Sequence, residues 1–178
     1  MDCKLFIHRL PFDLESFLNH FLLFYKKHIV AGFFCRVNVM NIAKQQGITL
    51  TECQTEIADG YQSLLKITAH GIDKNISLTG TLLGDQQPRL VAITDFEIEV
   101  IPEGVLLITR HEDRPGVIAA ISSILGAANI NITRMQVSKA DQQQLAMMII
   151  SVSDPLNEEL LQQVCALSAV HSARQIVL

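Results

Sequence analysis

At 178 residues the chain has room for one or two small domains, each able to bury a core. Apolar residues make up 49% and charged residues 18%, which excludes a disordered chain, and a formal charge of −4 excludes a broad basic surface for nucleic acid or anionic lipid. The four cysteines (Cys3, Cys35, Cys53, Cys165) form no C-x-x-C pair, so they read as reduced, mostly buried thiols of a cytoplasmic protein, neither a disulfide frame nor a zinc site.

Residues 4–10 predict a short strand that Pro11 ends. Asp13 is placed to cap a helix over residues 14–30, with Phe17, Phe21 or Leu22, Phe24, and Tyr25 or His28 on its packed side. Polar residues interrupt this stretch at Glu15, Asn19 and His20, and Lys26-Lys27-His28 follow. It therefore reads as an amphipathic soluble helix, neither a membrane span nor a signal peptide. Gly32 ends it, and a second helix is expected over residues 39–46 with Gly47 as its stop. From Ile48 the period changes to alternation. Residues 49–55, 64–68, 76–83, 89–93 and 96–100 read as strands, punctuated by Asp59-Gly60, Gly84, Pro88 and Asp95. Two helices followed by a run of antiparallel strands make a small α+β domain over residues 1–101.

Pro102-Glu103-Gly104 marks the boundary, and residues 102–178 follow another plan. The expected order is strand 105–109, helix 116–128, strand 131–138, strand 144–152, helix 157–167 and strand 172–178. Asp141 and the glutamines around it supply the hairpin turn, and Asn157 before Glu158-Glu159 starts the second helix with acidic residues at the positive end of its dipole. A βαββαβ order is the ferredoxin-like arrangement, two helices packed on one face of a four-stranded antiparallel sheet.

The stretch of most functional interest is His111-Glu112-Asp113-Arg114-Pro115-Gly116-Val117. It lies between the apolar run Val105-Leu106-Leu107-Ile108 and a helical stripe of Val117, Ile118, Ile121, Ile124, Leu125 and Ala128. Pro115 suits a first helical turn, and Gly116 leaves no side chain in the way of an approaching group. An exposed helix N-terminus after a strand suits a small anion such as an amino-acid carboxylate.

These residues carry a family resemblance. Leu107-Ile108, Asp113-Arg114-Pro115-Gly116-Val117-Ile118, Ile124-Leu125, Asn129-Ile130-Asn131-Ile132, Met135-Gln136-Val137 and His171-Ser172-Ala173-Arg174 make the second half resemble an ACT domain, a small ligand-binding module that regulates amino-acid metabolism. Val37-Asn38, Asn41-Ile42-Ala43, Gly47-Ile48, Gly80-Thr81-Leu82-Leu83-Gly84, Pro88-Arg89-Leu90-Val91 and Pro102-Glu103-Gly104 make the first half similar to the intervening, allosteric substrate-binding domain. Together they resemble the C-terminal regulatory region of long-type D-3-phosphoglycerate dehydrogenases over residues 14–178. The resemblance implies L-serine as feedback effector, a homodimer through the ACT domain, and an NAD-dependent catalytic half that is separate from this chain. No G-x-G-x-x-G turn occurs here, so neither NAD binding nor dehydrogenase activity is expected of the chain by itself.

In the serine-regulated members, the positions matching His111 and Asp113 hydrogen-bond serine across a two-fold interface, with the position of Asn131 supplied by the other subunit. A carboxylate suits the serine ammonium, and an amide or imidazole suits its hydroxyl or carboxylate. The bacterial serine site carries Asn where this chain has Asp113. The plainer alternatives are a helix cap for Asp113, an exposed loop histidine for His111, and a helix terminator or local pairing for Asn131. Pro115 and Gly116 shape the turn in either case. In the first domain Arg89, and more weakly Arg36 and Lys66, are candidates for a phosphate or carboxylate, against the ordinary solvated basic residue.

Asp95, Glu97 and Glu99 alternate as a wet strand face and not as a catalytic carboxylate pair. The remaining histidines (His8, His20, His28, His70, His171) have no metal-ligand spacing, and no nucleophile motif is present. The leading expectation is an amino-acid-sensing regulatory module, with or without a separately encoded dehydrogenase subunit as partner. One alternative is the regulatory part of an iron–sulfur L-serine dehydratase, whose Ser-Ser-Ser-His-Thr-Ala-Gly stretch and clustered cysteines are missing here. Another is an oligomerisation module without ligand response.

Overall fold

The computed structural model describes residues 2–8, 49–55, 61, 64–70, 75–84, 87–139 and 144–178. The helices expected over residues 14–30 and 39–46, the Asp59-Gly60 and Asp141 turns, and Arg36 lie outside the described residues. Contacts divide the chain into two units, Met1–Asp95 and Phe96–Leu178. This grouping gives residues 96–101 to the second unit, whereas the boundary read from Pro102-Glu103-Gly104 gives them to the first.

In the first unit, β1 (Asp2–His8), β2 (Thr49–Thr55), β3 (Leu65–His70), β4 (Asn75–Leu83) and β5 (Gln87–Ile93) lie in the order β2-β1-β3-β4-β5. β2 and β3 follow one another in sequence but are not neighbours in the sheet. β1 enters between them, antiparallel to β2 and parallel to β3. From β3 onward the pairing is antiparallel, with a bulge between Thr79 and Gly80. Ile67, Leu78, Leu90, Val91 and Ile93 are buried along these strands.

The second unit begins with β6 (Phe96–Val100), which alternates buried and exposed residue by residue. Glu97 and Glu99 are therefore on a wet face, as the alternation predicts. The ferredoxin-like order then follows: β7 (Val105–Glu112), α1 (Val117–Ala127), β8 (Ile132–Lys139), β9 (Leu145–Val152), α2 (Glu158–Cys165) and β10 (Val170–Val177). The sheet runs β10-β7-β9-β8 with every neighbour antiparallel, so β7 and β9 are central and β8 is an edge.

On the helix-bearing face, Val105, Leu107, Met148, Ile150, Val152 and Ala173 pack with Val117, Ile121 and Leu125 of α1 and Val164 of α2. Ile118 departs from the expected stripe and is 42% exposed, because it sits at the stripe's rim in the first helical turn. The opposite sheet face is buried as well, at Leu106, Ile108, Met147, Ile149 and Ile176, and there the Arg110 guanidinium lies 5.8 Å from the centre of the Phe96 ring. Burial on both faces explains why β7 and β9 read as continuous apolar runs instead of alternating.

The helix ends are set by backbone chemistry. At the end of α1, Asn129 takes a left-handed φ of 57°, its N–H donates to Gly126 O (3.0 Å), and Ile130 N–H donates to Leu125 O (2.9 Å). This is a Schellman stop, sealed by the burial of both Ile130 and Leu125. Asn157 caps α2 by accepting from Leu160 N–H at 2.8 Å. Cys165 is exposed, because it follows buried Val164 on α2 and turns off the packed stripe. Among the described residues, no helix is long and apolar enough to cross a membrane.

Candidate functional site

The turn after β7 is built from both sides. Glu112 N–H donates to Ala169 O (2.9 Å) on the loop before β10, and Asp113 N–H donates to Gln144 O (3.0 Å) at the start of β9. The Arg114 guanidinium reaches Glu112 (3.0 Å) and Ser168 Oγ (3.2 Å). Gly116 then caps α1 with φ 92° and ψ −18°, a left-handed conformation that glycine adopts without strain. Pro115 precedes this cap, so it stands outside the helix and not in its first turn. Asp113 is no helix cap either, since α1 has no side-chain cap hydrogen bond. Its carboxylate is ion-paired instead with the ammonium of Lys139, the last residue of β8.

His111 is not an exposed loop residue. It belongs to β7, opposite Ala146 of β9 and Val170 of β10, and is 2% exposed. Its Nδ1 lies 3.4 Å from Thr109 Oγ1, whose hydroxyl in turn contacts Met148 O at 3.5 Å. Burial pushes the imidazole below its ordinary value; Asp113 opposes this by favouring the charged form, and His171 adds to it.

The sign of the consequence follows from linkage. A histidine with a lowered folded pKa is held neutral in the fold, so its contribution to stability is complete above the unfolded value of about 6.5 and is lost as the pH falls below it towards the folded value. The urea midpoint of the chain is expected to drop between about pH 7.5 and 5.5 more steeply than that of His111→Gln. Equal slopes would remove His111 as the titrating group.

Asn131 is exposed and stands just before β8, where its backbone pairs with Ser153 through Asn131 N–H to Ser153 Oγ (3.1 Å) and Ser153 N–H to Asn131 O (2.9 Å). Asn129, not Asn131, terminates the helix. The structure brings His111 and Asp113 to one end of the sheet and leaves Asn131 at the other. β8 starts beside Asn131 and ends at Lys139, which touches Asp113, so the separation is about 25 Å at about 3.3 Å per residue. One chain cannot close these residues around one small molecule.

Two features went unread in the sequence. Lys139 was legible in principle, since Met135, Val137 and Lys139 share a strand face and the βαββαβ order carries the end of β8 to the β7–α1 turn. The other is an open pocket of about 140 Å³ on the far flank of the turn, lined by Arg114, Gly116, Val117, Ala120, Leu167 and Ser168. In the first unit, Lys66 is exposed opposite Thr79, and half-buried Arg89 is opposite Thr81, with β4 between their strands. Arg89 donates to Pro88 O and Gln87 Oε1, both at 3.0 Å.

Comparison with known proteins agrees with this architecture. The family model of the ACT domain matches residues 105–169, and that of the D-3-phosphoglycerate dehydrogenase intervening domain matches residues 28–94. A D-3-phosphoglycerate dehydrogenase of Synechocystis sp. is 34% identical over 146 residues, 80% of this chain and 26% of that protein. Another, from Archaeoglobus fulgidus, is 31% identical over 144 residues, 80% of this chain and 27% of that protein. A probable L-serine dehydratase beta chain of Bacillus subtilis is 25% identical over 137 residues, 77% of this chain and 62% of that protein. The chain thus spans about a quarter of the length of the dehydrogenases it matches. Residues 105–169 thus match an ACT domain and residues 28–94 a D-3-phosphoglycerate dehydrogenase intervening domain, and over both the chain is similar to the C-terminal regulatory region of those dehydrogenases.

Proposed function

We propose that the chain is an amino-acid-sensing regulatory module whose effector is L-serine, bound between the ACT domains of two chains. The observation that carries this reading is the separation of Asp113 and His111 from Asn131 along β8. In a two-fold pair joined antiparallel at the β8 edges, the start of one β8 lies beside the end of the other. Each Asp113 then meets the Asn131 of a second copy. The exposed Met135 and Val137 of β8 support the same edge as the contact, since a strand edge with apolar side chains beside it is an association surface.

Within such a site the Asp113 carboxylate receives the effector's ammonium. The Asn131 amide of the second copy takes its hydroxyl or carboxylate, and His111, buried behind Asp113, fixes the turn's end of β7. Serine held by both chains favours one dimer geometry over others, and that difference in affinity is what biases attached or associated catalytic domains. The reading assigns NAD and the oxidation of 3-phosphoglycerate to those domains, with Arg89 and Lys66 as candidate anion contacts in the first unit. The similarity to the L-serine dehydratase beta chain favours one second reading, in which the same module serves as regulatory subunit of a dehydratase.

Light scattering together with calorimetry tests the proposal. A dimer that binds L-serine with one ligand per chain is the expected result. No heat from L-serine or any other amino acid at millimolar levels would overturn it.

A further inference from the structure

The Asp113 carboxylate, assigned above to the effector's ammonium, already carries an ammonium from its own chain. Lys139 Nζ is ion-paired with Asp113 Oδ2. The two halves of this pair differ in how firmly they are held. The Asp113 backbone is pinned by its N–H bond to Gln144 O at 3.0 Å, next to the bond from Glu112 N–H to Ala169 O. Its side chain is 34% exposed, whereas that of Lys139 is 70% exposed and ends a flexible stem at the tip of an edge strand. The other charges of the turn are engaged elsewhere: Arg114 holds Glu112 and Ser168, and burial favours the neutral form of His111. The carboxylate is thus a fixed seat, and the lysine is a removable occupant.

We propose that Lys139 is a tethered counter-ion that fills the ammonium seat of the effector site, so that only a ligand bringing its own ammonium displaces it. Its competition sets the concentration at which the site fills. The inference rests on the reading of Asp113 as part of an amino-acid site. An exposed ion pair of this kind shifts an equilibrium by a factor of up to about five. That strength keeps the seat occupied at low effector and gives way at high effector. Screening by salt weakens the lysine's hold.

The test is calorimetric titration of L-serine into the full chain, the Lys139→Met variant and the Lys139→Arg variant, at low and high salt. Lys139→Met is expected to bind about three to five times more tightly at low salt. Lys139→Arg is expected to match the native chain, and the advantage of Lys139→Met to shrink as salt rises. Native chain that binds L-serine while Lys139→Met binds it equally or more weakly would overturn the competition and leave the amino-acid site standing. Absence of binding in all three proteins would instead remove the site itself, and the proposal with it.

Discussion

Replacing Ile121 with alanine is expected to lower the stability of the second unit by about 2–5 kcal/mol, the usual effect of emptying a fully buried isoleucine site. Ile121 is 0% exposed in the cluster that joins α1 to the sheet, beside equally buried Leu107, Leu125, Met148 and Ile150. Neighbours on a sheet buried on both faces have little room to collapse into the vacancy, so the upper half of that range is the expectation. Such a loss is a large share of the roughly 5–15 kcal/mol that holds a domain together. Ile118→Ala, one turn earlier and exposed, serves as the control and should change stability by no more than about 0.5 kcal/mol. Hydrogen-exchange protection of the β7 and β9 amides reads both effects in the second unit directly. Similar losses in the two variants would contradict the placement of α1.

Asp113→Ala is expected to weaken L-serine binding by about ten- to a hundredfold, since hydrogen bonds to charged groups contribute about 1.5–3 kcal/mol. Asp113 N–H bonds to Gln144 O through the backbone, which alanine keeps, so the fold should be undisturbed. Titration calorimetry of the variant decides it. An unchanged affinity would leave the carboxylate with no role beyond its pair with Lys139.

Much of this fold is legible in the residues. The alternation of Phe96, Ile98 and Val100 with Glu97 and Glu99 marks β6, and the 3.6-residue recurrence of Val117, Ile121 and Leu125 marks α1. Other features depend on what the chain meets in space. β7 runs on past residue 109, where the strand is expected to end, through Arg110, His111 and Glu112. Thr109 contacts Met148 O, and Arg110 finds the Phe96 ring, so tertiary partners extend the strand beyond its apolar run. The insertion of β1 between β2 and β3 is likewise a long-range pairing that local pattern does not encode.

The candidate site divides the same way. His111, Asp113, Pro115 and Gly116 are contiguous in sequence, and they stay together at the β7–α1 turn. Lys139 and Asn131 mark the two ends of β8, and only the sheet order reveals that the lysine meets Asp113 while the asparagine is carried away. The resemblance already implies that Asn131 comes from a second subunit, and the topology of one chain carries it away from its own Asp113.

That sharing of one ligand between two chains is the centre of the account, and a mixed dimer tests it most directly. Asp113→Ala and Asn131→Ala homodimers should each bind L-serine at least about tenfold more weakly than the native dimer. A heterodimer of the two variants has one site with both residues intact and one with neither. The account predicts half the native stoichiometry at native affinity for that heterodimer. Failure of the heterodimer to recover any site, or full binding by the Asn131→Ala homodimer, would contradict it.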